Sequence, residues 1–153
     1  MTKAYMIIDL QFGSTGKGLL AGYLAKRLEP DVVATAWSPN AGHTYIDENG
    51  RKFVHCMLAN SIVSPNLTTV LIGAGSTLDL DLLYKEIESC ADLLRHKTII
   101  IHPHAAVVTQ AHRDIEKRNV KIGSTMKGSG ASAIQRMERD PDNNPTVVAQ
   151  IEI

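Results

Sequence analysis

Residues 7–18 read Ile-Ile-Asp-Leu-Gln-Phe-Gly-Ser-Thr-Gly-Lys-Gly, an apolar run that enters a glycine-rich turn with one lysine. A helical pattern begins near Gly16, so the N–H groups of the turn and the positive end of a helix would converge with Lys17 on an anion. The stretch therefore predicts a phosphate-binding loop between a strand and a helix. It is not a Walker A loop, because Gln11 occupies the position of that motif's first glycine and Gly18 follows the lysine where Ser or Thr is required.

The composition is that of an ordinary globular domain and excludes several classes of function. Of the 153 residues, 44% are hydrophobic and 21% are charged, and 16 basic residues balance 16 acidic ones. No basic or apolar run suits a nucleic-acid or membrane partner, and the N-terminus does not read as a signal peptide. Cys56 and Cys90 show no zinc spacing and are expected as thiols in a reducing compartment. We therefore expect a cytoplasmic protein that binds a small charged ligand, with no nucleic acid and no membrane.

Strand and helix patterns alternate along the chain, which indicates an α/β fold with a mainly parallel sheet and helices on both faces. A hairpin is expected where Asp-Glu-Asn-Gly at 47–50 separates two apolar stretches. No linker or repeat divides the sequence, so residues 1–153 are interpreted as one domain or most of one. The predicted strands are 4–10, 32–36, 69–72, 98–101 and 147–153, and the predicted helices are 19–28, 78–94, 109–118 and 131–139.

Two further glycine-containing loops follow predicted strands, which is where open α/β sheets bind ligands. The second loop, Asn-Ala-Gly-His-Thr at 40–44, combines an imidazole, a closely approachable backbone and two hydrogen-bonding side chains. The third loop, Gly-Ser-Thr-Met-Lys-Gly at 123–128, precedes a helix. Each loop alone is a weak signal, because surface-loop histidines and lysines near glycines are common. Their joint occurrence favours phosphoryl chemistry on a nucleotide.

In order and spacing, the three loops resemble those of the adenylosuccinate synthetase family. The second loop matches the family motif completely. The first departs from it, because Ser14 stands where the family has a catalytic aspartate and Leu19 where it has a lysine; in the third, Lys127 replaces an arginine. The first loop is most similar to the bacteriophage branch, the 2-aminoadenylosuccinate synthetases.

The resemblance implies an adenylosuccinate-synthetase-like fold, distantly related to P-loop folds. Because the family's proteins are much longer, residues 1–153 would form the N-terminal part of a single synthetase domain whose C-terminal half is missing. That half carries the family's aspartate-binding loop and the motif that reads the base of the nucleoside triphosphate.

The resemblance also implies a reaction. Family members phosphorylate a purine at C6 with a nucleoside triphosphate and Mg²⁺, and the amino group of L-aspartate then displaces the phosphate. By resemblance, Lys17 would stabilise the transferring γ-phosphoryl group, His43 would neutralise charge on the β-phosphate, and the Gly42 carbonyl would help to hold Mg²⁺. In the bacteriophage branch the purine is dGMP and the donor is ATP or dATP. The product would serve the synthesis of diaminopurine-containing DNA in the host cytoplasm.

Nucleotide-binding positions of the family carry over residue by residue. Asn40 and Thr125 match positions that bind the purine monophosphate. Arg139 aligns with an arginine that reaches the monophosphate from the partner subunit, so a homodimer with shared active sites is expected. The remaining candidates for nucleotide binding are Gly13, Thr15, Gly16, Gly18, Ala41, Thr44 and Ser124.

Ser14 separates two candidate substrates. Its hydroxyl has no useful basicity near pH 7, so it can neither take the purine N1 proton nor hold Mg²⁺ as an aspartate does. It is small and uncharged, which leaves space for the 2-amino group of dGMP. IMP is the alternative substrate, and a purine-binding module without catalysis is the alternative function. The acceptor of the N1 proton stays open between a water held by Ser14 or Thr15 and the carboxylate of Asp9. For Asp9 itself, the sequence favours a structural role at the strand end over a role as the base.

Overall fold

The computed structural model describes residues 3–11, 13, 15–119, 124–138 and 147. Within these ranges no helix is long and apolar enough to cross a membrane. In chain order the elements are α1 Lys17–Leu28, β1 Val32–Thr35, β2 His43–Ile46, β3 Lys52–His55, a 3₁₀ helix Asn60–Val63, β4 Thr69–Ile72, β5 Thr77–Leu78, α2 Leu80–Ser89, α3 Ala91–Leu94, β6 Thr98–Ile101, β7 Ala106–Val107, α4 Gln110–Asn119 and α5 Ser129–Glu138.

The central sheet is parallel and has the strand order β1-β4-β6. Its middle strand β4 buries Val70 and Ile72 on one face, while Thr69 and Leu71 on the other face are partly buried. Strands β2 and β3 form an antiparallel hairpin, and β5 pairs with β7 in parallel. The apolar core joins side chains of β1, β3, β4, the 3₁₀ helix and α2. The predicted α/β class with a mainly parallel sheet is confirmed.

Helix α1 packs unusually closely, because the face that it buries carries small residues, namely Gly18, Ala21, Gly22 and Ala25. A Cβ on Gly22 would lie 2.4 Å from the ring of Tyr45 in β2. Glu29 ends the helix in the left-handed conformation, immediately before Pro30. This packing holds the start of α1 against the hairpin and fixes where the first glycine loop lies.

The predicted helix over 78–94 is wrong in two respects: Leu78 lies in β5, and the structure divides the helix at Cys90 into α2 and α3. Cys90 leaves the helical conformation with φ of −118° and ψ of 19°. Its buried thiol lies 3.3 Å from Nε2 of His55, while the Ser89 hydroxyl donates to the carbonyl of Glu86. Side-chain packing at the junction therefore outweighs the helical periodicity of the sequence.

The predicted strand 4–10 is also wrong, since these residues form no strand in the structure. Met6 and Leu10 are 85% and 93% exposed, so the apolar run has no sheet partner. A strand requires ladder hydrogen bonds that sequence propensity alone does not supply. Of the predicted strand 147–153, Val147 forms an antiparallel bridge with Ala106, and the other residues lie outside the described part.

Candidate functional site

The first loop contains two glycines in the left-handed conformation, before and at the start of α1. Gly13 and Gly16 have φ values of +67° and +80°, the left-handed region that favours glycine. The carbonyl of Gly16 accepts the N–H of Leu20 at 3.0 Å, so the helix begins with Lys17 directly after the turn. Lys17 thus stands at the positive end of α1, where a phosphate group would be bound.

A cavity of about 390 Å³ opens beside this loop. Within it, the carboxylate of Asp9 pairs with the ammonium of Lys17 and accepts a hydrogen bond from the hydroxyl of Thr15. The side chains of Lys17 and Asp9 are 26% and 18% exposed, so the pair remains accessible from the cavity. The described lining residues are Ile7, Ile8, Asp9, Leu10, Gln11, Thr15, Lys17 and Leu20.

The second loop contacts the first through Gly18. A Cβ on Gly18 would lie 2.7 Å from Cβ of His43 and 3.0 Å from the backbone carbonyl carbon of His43. The missing side chain therefore lets α1 touch the start of β2. The His43 imidazole is buried and stacks on Trp37, with the ring centroids 3.8 Å apart and the planes at 24°.

The surroundings of His43 favour the neutral form of its imidazole. Burial and, after it, the positive charge of Lys17 lower the pKa of His43 below its ordinary value near 6.5. A neutral imidazole still donates one ring N–H to a phosphate oxygen, and it adds no full charge to a site that already contains Lys17.

The other residues of the second loop form an open edge beside β3. Asn40, Ala41, Gly42 and Thr44 are exposed, and no bulky side chain covers them. Gly42 faces Cys56, whose sulfur would lie 3.9 Å from an added Cβ. The loop therefore presents main-chain groups and short polar side chains to a ligand.

The third loop is organised by a carboxylate on α4. Glu116 accepts the N–H groups of Gly128 at 2.8 Å, Gly130 at 2.7 Å and Ala131 at 3.3 Å, and the hydroxyl of Ser124 at 3.2 Å. Partial burial raises the pKa of Glu116, but these four donors outweigh it and lower the pKa below its ordinary value. Glu116 thereby ties the loop to the start of α5.

The third loop lies near the second. The ammonium charge of Lys127 acts on the thiol of Cys56, next to Gly42, although burial dominates and raises the pKa of that thiol. Thr125 is exposed beside Lys127. The structure thus joins the first two loops by direct contact and brings the third within electrostatic range. Ser14 and Arg139 lie outside the described residues.

Sequence reasoning missed two carboxylates that shape the site. Glu86 is buried on α2 and accepts the N–H groups of Cys56, Met57 and Leu58, which fixes the chain after β3. Its position three residues after buried Leu83, on the apolar face of a helix, was the available signal. The sequence contains no comparable signal for Glu116, because its role depends on how α4 and α5 pack side by side.

The chain matches known proteins over nearly all of its length. The family model of adenylosuccinate synthetase matches residues 6–143. The N6-succino-2-amino-2'-deoxyadenylate synthase of Salmonella phage PMBT28 is 63% identical over 148 residues, which are 96% of this chain and 40% of that protein. The adenylosuccinate synthetase of Methanococcus aeolicus is 31% identical, over 88% of this chain and 41% of that protein.

Solved structures agree with these relatives. The cyanophage S-2L succinoaminodeoxyadenylate synthetase, bound to dGMP and to dATP as an energy donor, superposes with a TM-score of 0.83 at 42% identity. The match covers 94% of this chain and 40% of that one. A fully ligated adenylosuccinate synthetase from Plasmodium falciparum, with a TM-score of 0.73 at 24% identity over 91% of this chain and 33% of that one, shares the fold. The chain spans about 40% of the length of the phage relative, and it belongs to the adenylosuccinate synthetase family.

Proposed function

We propose that these residues are the N-terminal part of a single synthetase domain that joins L-aspartate to C6 of dGMP. The product would be 2-amino-2'-deoxyadenylosuccinate, formed through a 6-phosphoryl intermediate with ATP or dATP as the phosphoryl donor. The observation that carries the proposal is the contact of Gly18 with His43, because it places a lysine at a helix N-terminus beside a neutral imidazole. Phosphoryl transfer depends mainly on such positioned charge and hydrogen-bond donors.

Each residue at this contact has a role that its surroundings support. The ammonium of Lys17 faces the cavity and would stabilise charge on the transferring γ-phosphoryl group. The neutral ring of His43 would donate to the β-phosphate as it leaves. The left-handed turn at Gly13 and Gly16 lets N–H groups approach phosphate oxygens closely. Asn40 and Thr125, both exposed, would hold the purine monophosphate.

The choice of dGMP rests on Ser14 and on the names of the phage relatives. A serine leaves room for the 2-amino group of guanine, and an aspartate at this position would favour binding of the ground state over the ionised purine. The phage relative at 63% identity is named for the guanine-derived product. IMP is the competing substrate, because cellular family members at about 31% identity carry the name adenylosuccinate synthetase.

Mg²⁺ fits the chemistry of the donors around the first two loops. The described part of the chain contains no group of three or more His, Cys, Asp or Glu side chains that could enclose a metal. Mg²⁺ rarely needs such a cage, since one or two protein oxygens, substrate phosphates and water complete its shell. The carbonyl of Gly42, on an exposed stretch beside His43, is the protein oxygen that we assign to it. Bound there, Mg²⁺ would neutralise phosphate charge.

The homodimer and the compartment are further parts of the proposal. Arg139 would reach the monophosphate in the partner's site, so that each active site contains residues of both subunits. The protein would work in the cytoplasm of an infected host, where dGMP, ATP and L-aspartate are available.

The deciding experiment offers the full-length protein dGMP and IMP separately, each with L-aspartate, Mg²⁺ and either ATP or dATP, and records product masses. We expect the succinylated product from dGMP, and none in parallel reactions that lack aspartate or contain EDTA. If a product formed from IMP and not from dGMP, IMP would be the substrate. Binding of dGMP without turnover by the full-length protein would instead favour the module without catalysis.

A further inference from the structure

The surroundings of Asp9 differ from those of a structural residue at the end of a strand. The segment around it forms no strand, and its side chain turns into the cavity of the first loop. One carboxylate oxygen pairs with Lys17 and the other accepts from Thr15. Both contacts are made to residues of the phosphate-binding turn. Asp9 therefore belongs to the site and not to the core.

The proposed reaction requires a proton acceptor that the first loop does not otherwise supply. O6 of a 6-oxopurine becomes a strong nucleophile when the N1 proton leaves, and the hydroxyl of Ser14 cannot take that proton near neutral pH. The other described side chains that line the cavity are aliphatic residues, Gln11, Thr15 and the protonated amine of Lys17. None of these is a useful base. Asp9 is the carboxylate among the described lining residues.

We infer that Asp9 accepts the N1 proton of the purine, a role that rests on the proposed function. The N1–H bond breaks and its proton passes to a carboxylate oxygen of Asp9, while the electron pair moves to O6. O6 then bonds to the γ-phosphorus, and the bond from that phosphorus to the β,γ-bridging oxygen breaks. The nucleoside diphosphate leaves with that electron pair.

Lys17 couples this step to binding of the triphosphate. Without a nucleotide, the Lys17 ammonium is paired with the Asp9 carboxylate. A γ-phosphate competes for the same ammonium, so its arrival loosens the pair and frees the carboxylate to face the purine. Among the described residues that line the cavity, Lys17 is the other charged group, and its charge also acts on His43. Deprotonation is therefore favoured when both substrates are present.

The test compares Asp9→Asn and Asp9→Glu with the wild type in the full-length protein, using whichever of dGMP or IMP the wild type converts. We expect Asp9→Asn to lower kcat by about 100-fold or more and to remove the acidic limb of the pH profile, with KM for the purine nucleotide changed less than about threefold. Asp9→Glu keeps a carboxylate and should retain part of the rate with a displaced acidic limb. Glu88→Gln, an exposed carboxylate on α2, is the matched control.

Two results would overturn the inference. The first is a kcat of Asp9→Asn that stays within a few-fold of the wild type, and the second is an acidic limb that persists in Asp9→Asn. A persisting limb would assign the base to another group, with His43 as the next candidate. Because the comparison uses the purine that the wild type converts, conversion of IMP alone would overturn the dGMP assignment without deciding the role of Asp9.

Discussion

At position 14 serine replaces the family's usual aspartate, and the two side chains differ in size, charge and basicity. We predict that Ser14→Asp lowers turnover of dGMP and admits some IMP, because the longer side chain takes the space of the 2-amino group. Ser14→Asn separates size from charge, since it has nearly the size of aspartate without the anion. The measurement is kcat/KM for both purines in each variant. Unchanged selectivity in both variants would contradict the role that we assign to space.

A second residue-scale prediction concerns His55, which is 2% exposed. Burial, assisted by the charge of Arg51, lowers its pKa to about 4, whereas an unfolded histidine titrates near 6.5. Between these values the unfolded chain binds a proton that the folded chain does not. The stability contribution of His55 is therefore present above the unfolded pKa and lost as the pH falls.

From pH 7 to pH 5 this difference amounts to about 2 kcal/mol of unfolding free energy. We expect urea unfolding of the full-length protein to show that loss and His55→Gln to lack most of it. The exposed residue His96, changed to Gln, is the control and should follow the wild type. An identical pH dependence in wild type and His55→Gln would refute the assignment.

At the scale of elements, elements defined by a local sequence pattern were predictable. The pairing between segments that are distant in sequence was not. The hairpin of β2 and β3 was predictable because Asp-Glu-Asn-Gly lies between alternating stretches. Strands β5 and β7 have two residues each, which is too few to show the alternation of apolar and polar residues that identifies a strand. The segment 4–10 has strand propensity but no partner in the described structure. Propensity is readable from the chain, whereas ladder pairing is not.

The same distinction applies to the site. The glycine loops are contiguous in sequence, so their residue types and spacing identified them before any contact was known. Glu116 and the Asp9 to Lys17 pair depend on how separate segments pack. The contact between Gly18 and His43 joins residues 25 positions apart, a spacing that no local pattern encodes. Sequence therefore indicated the candidate binding loops, and packing determined how they meet.

Gly18→Ala tests the contact between α1 and β2. Alanine favours a helix over glycine by up to about 1 kcal/mol, yet its Cβ would meet the backbone of His43 at 3.0 Å. Because a backbone cannot yield cheaply, we expect the start of α1 to move away from His43 and kcat to fall about tenfold or more.

The matched control is Gly75→Ala, whose added Cβ would meet Ala36 at an ordinary 3.4 Å. Steady-state kinetics and thermal melting of both full-length variants provide the measurement. We expect Gly75→Ala to keep wild-type kcat. Equal kcat in the two variants would show that the close approach of α1 to His43 is not needed for turnover.

At the scale of the whole molecule, the proposed homodimer predicts that each active site uses Lys17 of one subunit and Arg139 of the other. Lys17→Ala and Arg139→Ala should each be nearly inactive alone. In a mixed dimer one site carries both changes and the other carries neither. Because half of the dimers formed by random exchange are mixed, an equal mixture should recover about 25% of wild-type activity. The measurement is the rate of dGMP conversion after the two full-length variants are unfolded and refolded together.

The control for this experiment mixes Lys17→Ala with His43→Ala. Gly18 joins these two residues within one subunit, so both changes affect the site of their own chain and no mixed dimer contains an intact site. This mixture should stay at the activity of its separate components. If the Lys17 and Arg139 variants also fail to complement each other, Arg139 acts in its own subunit or not at all. Recovery near one quarter in the first mixture and none in the second would establish that the active site is completed across the dimer interface.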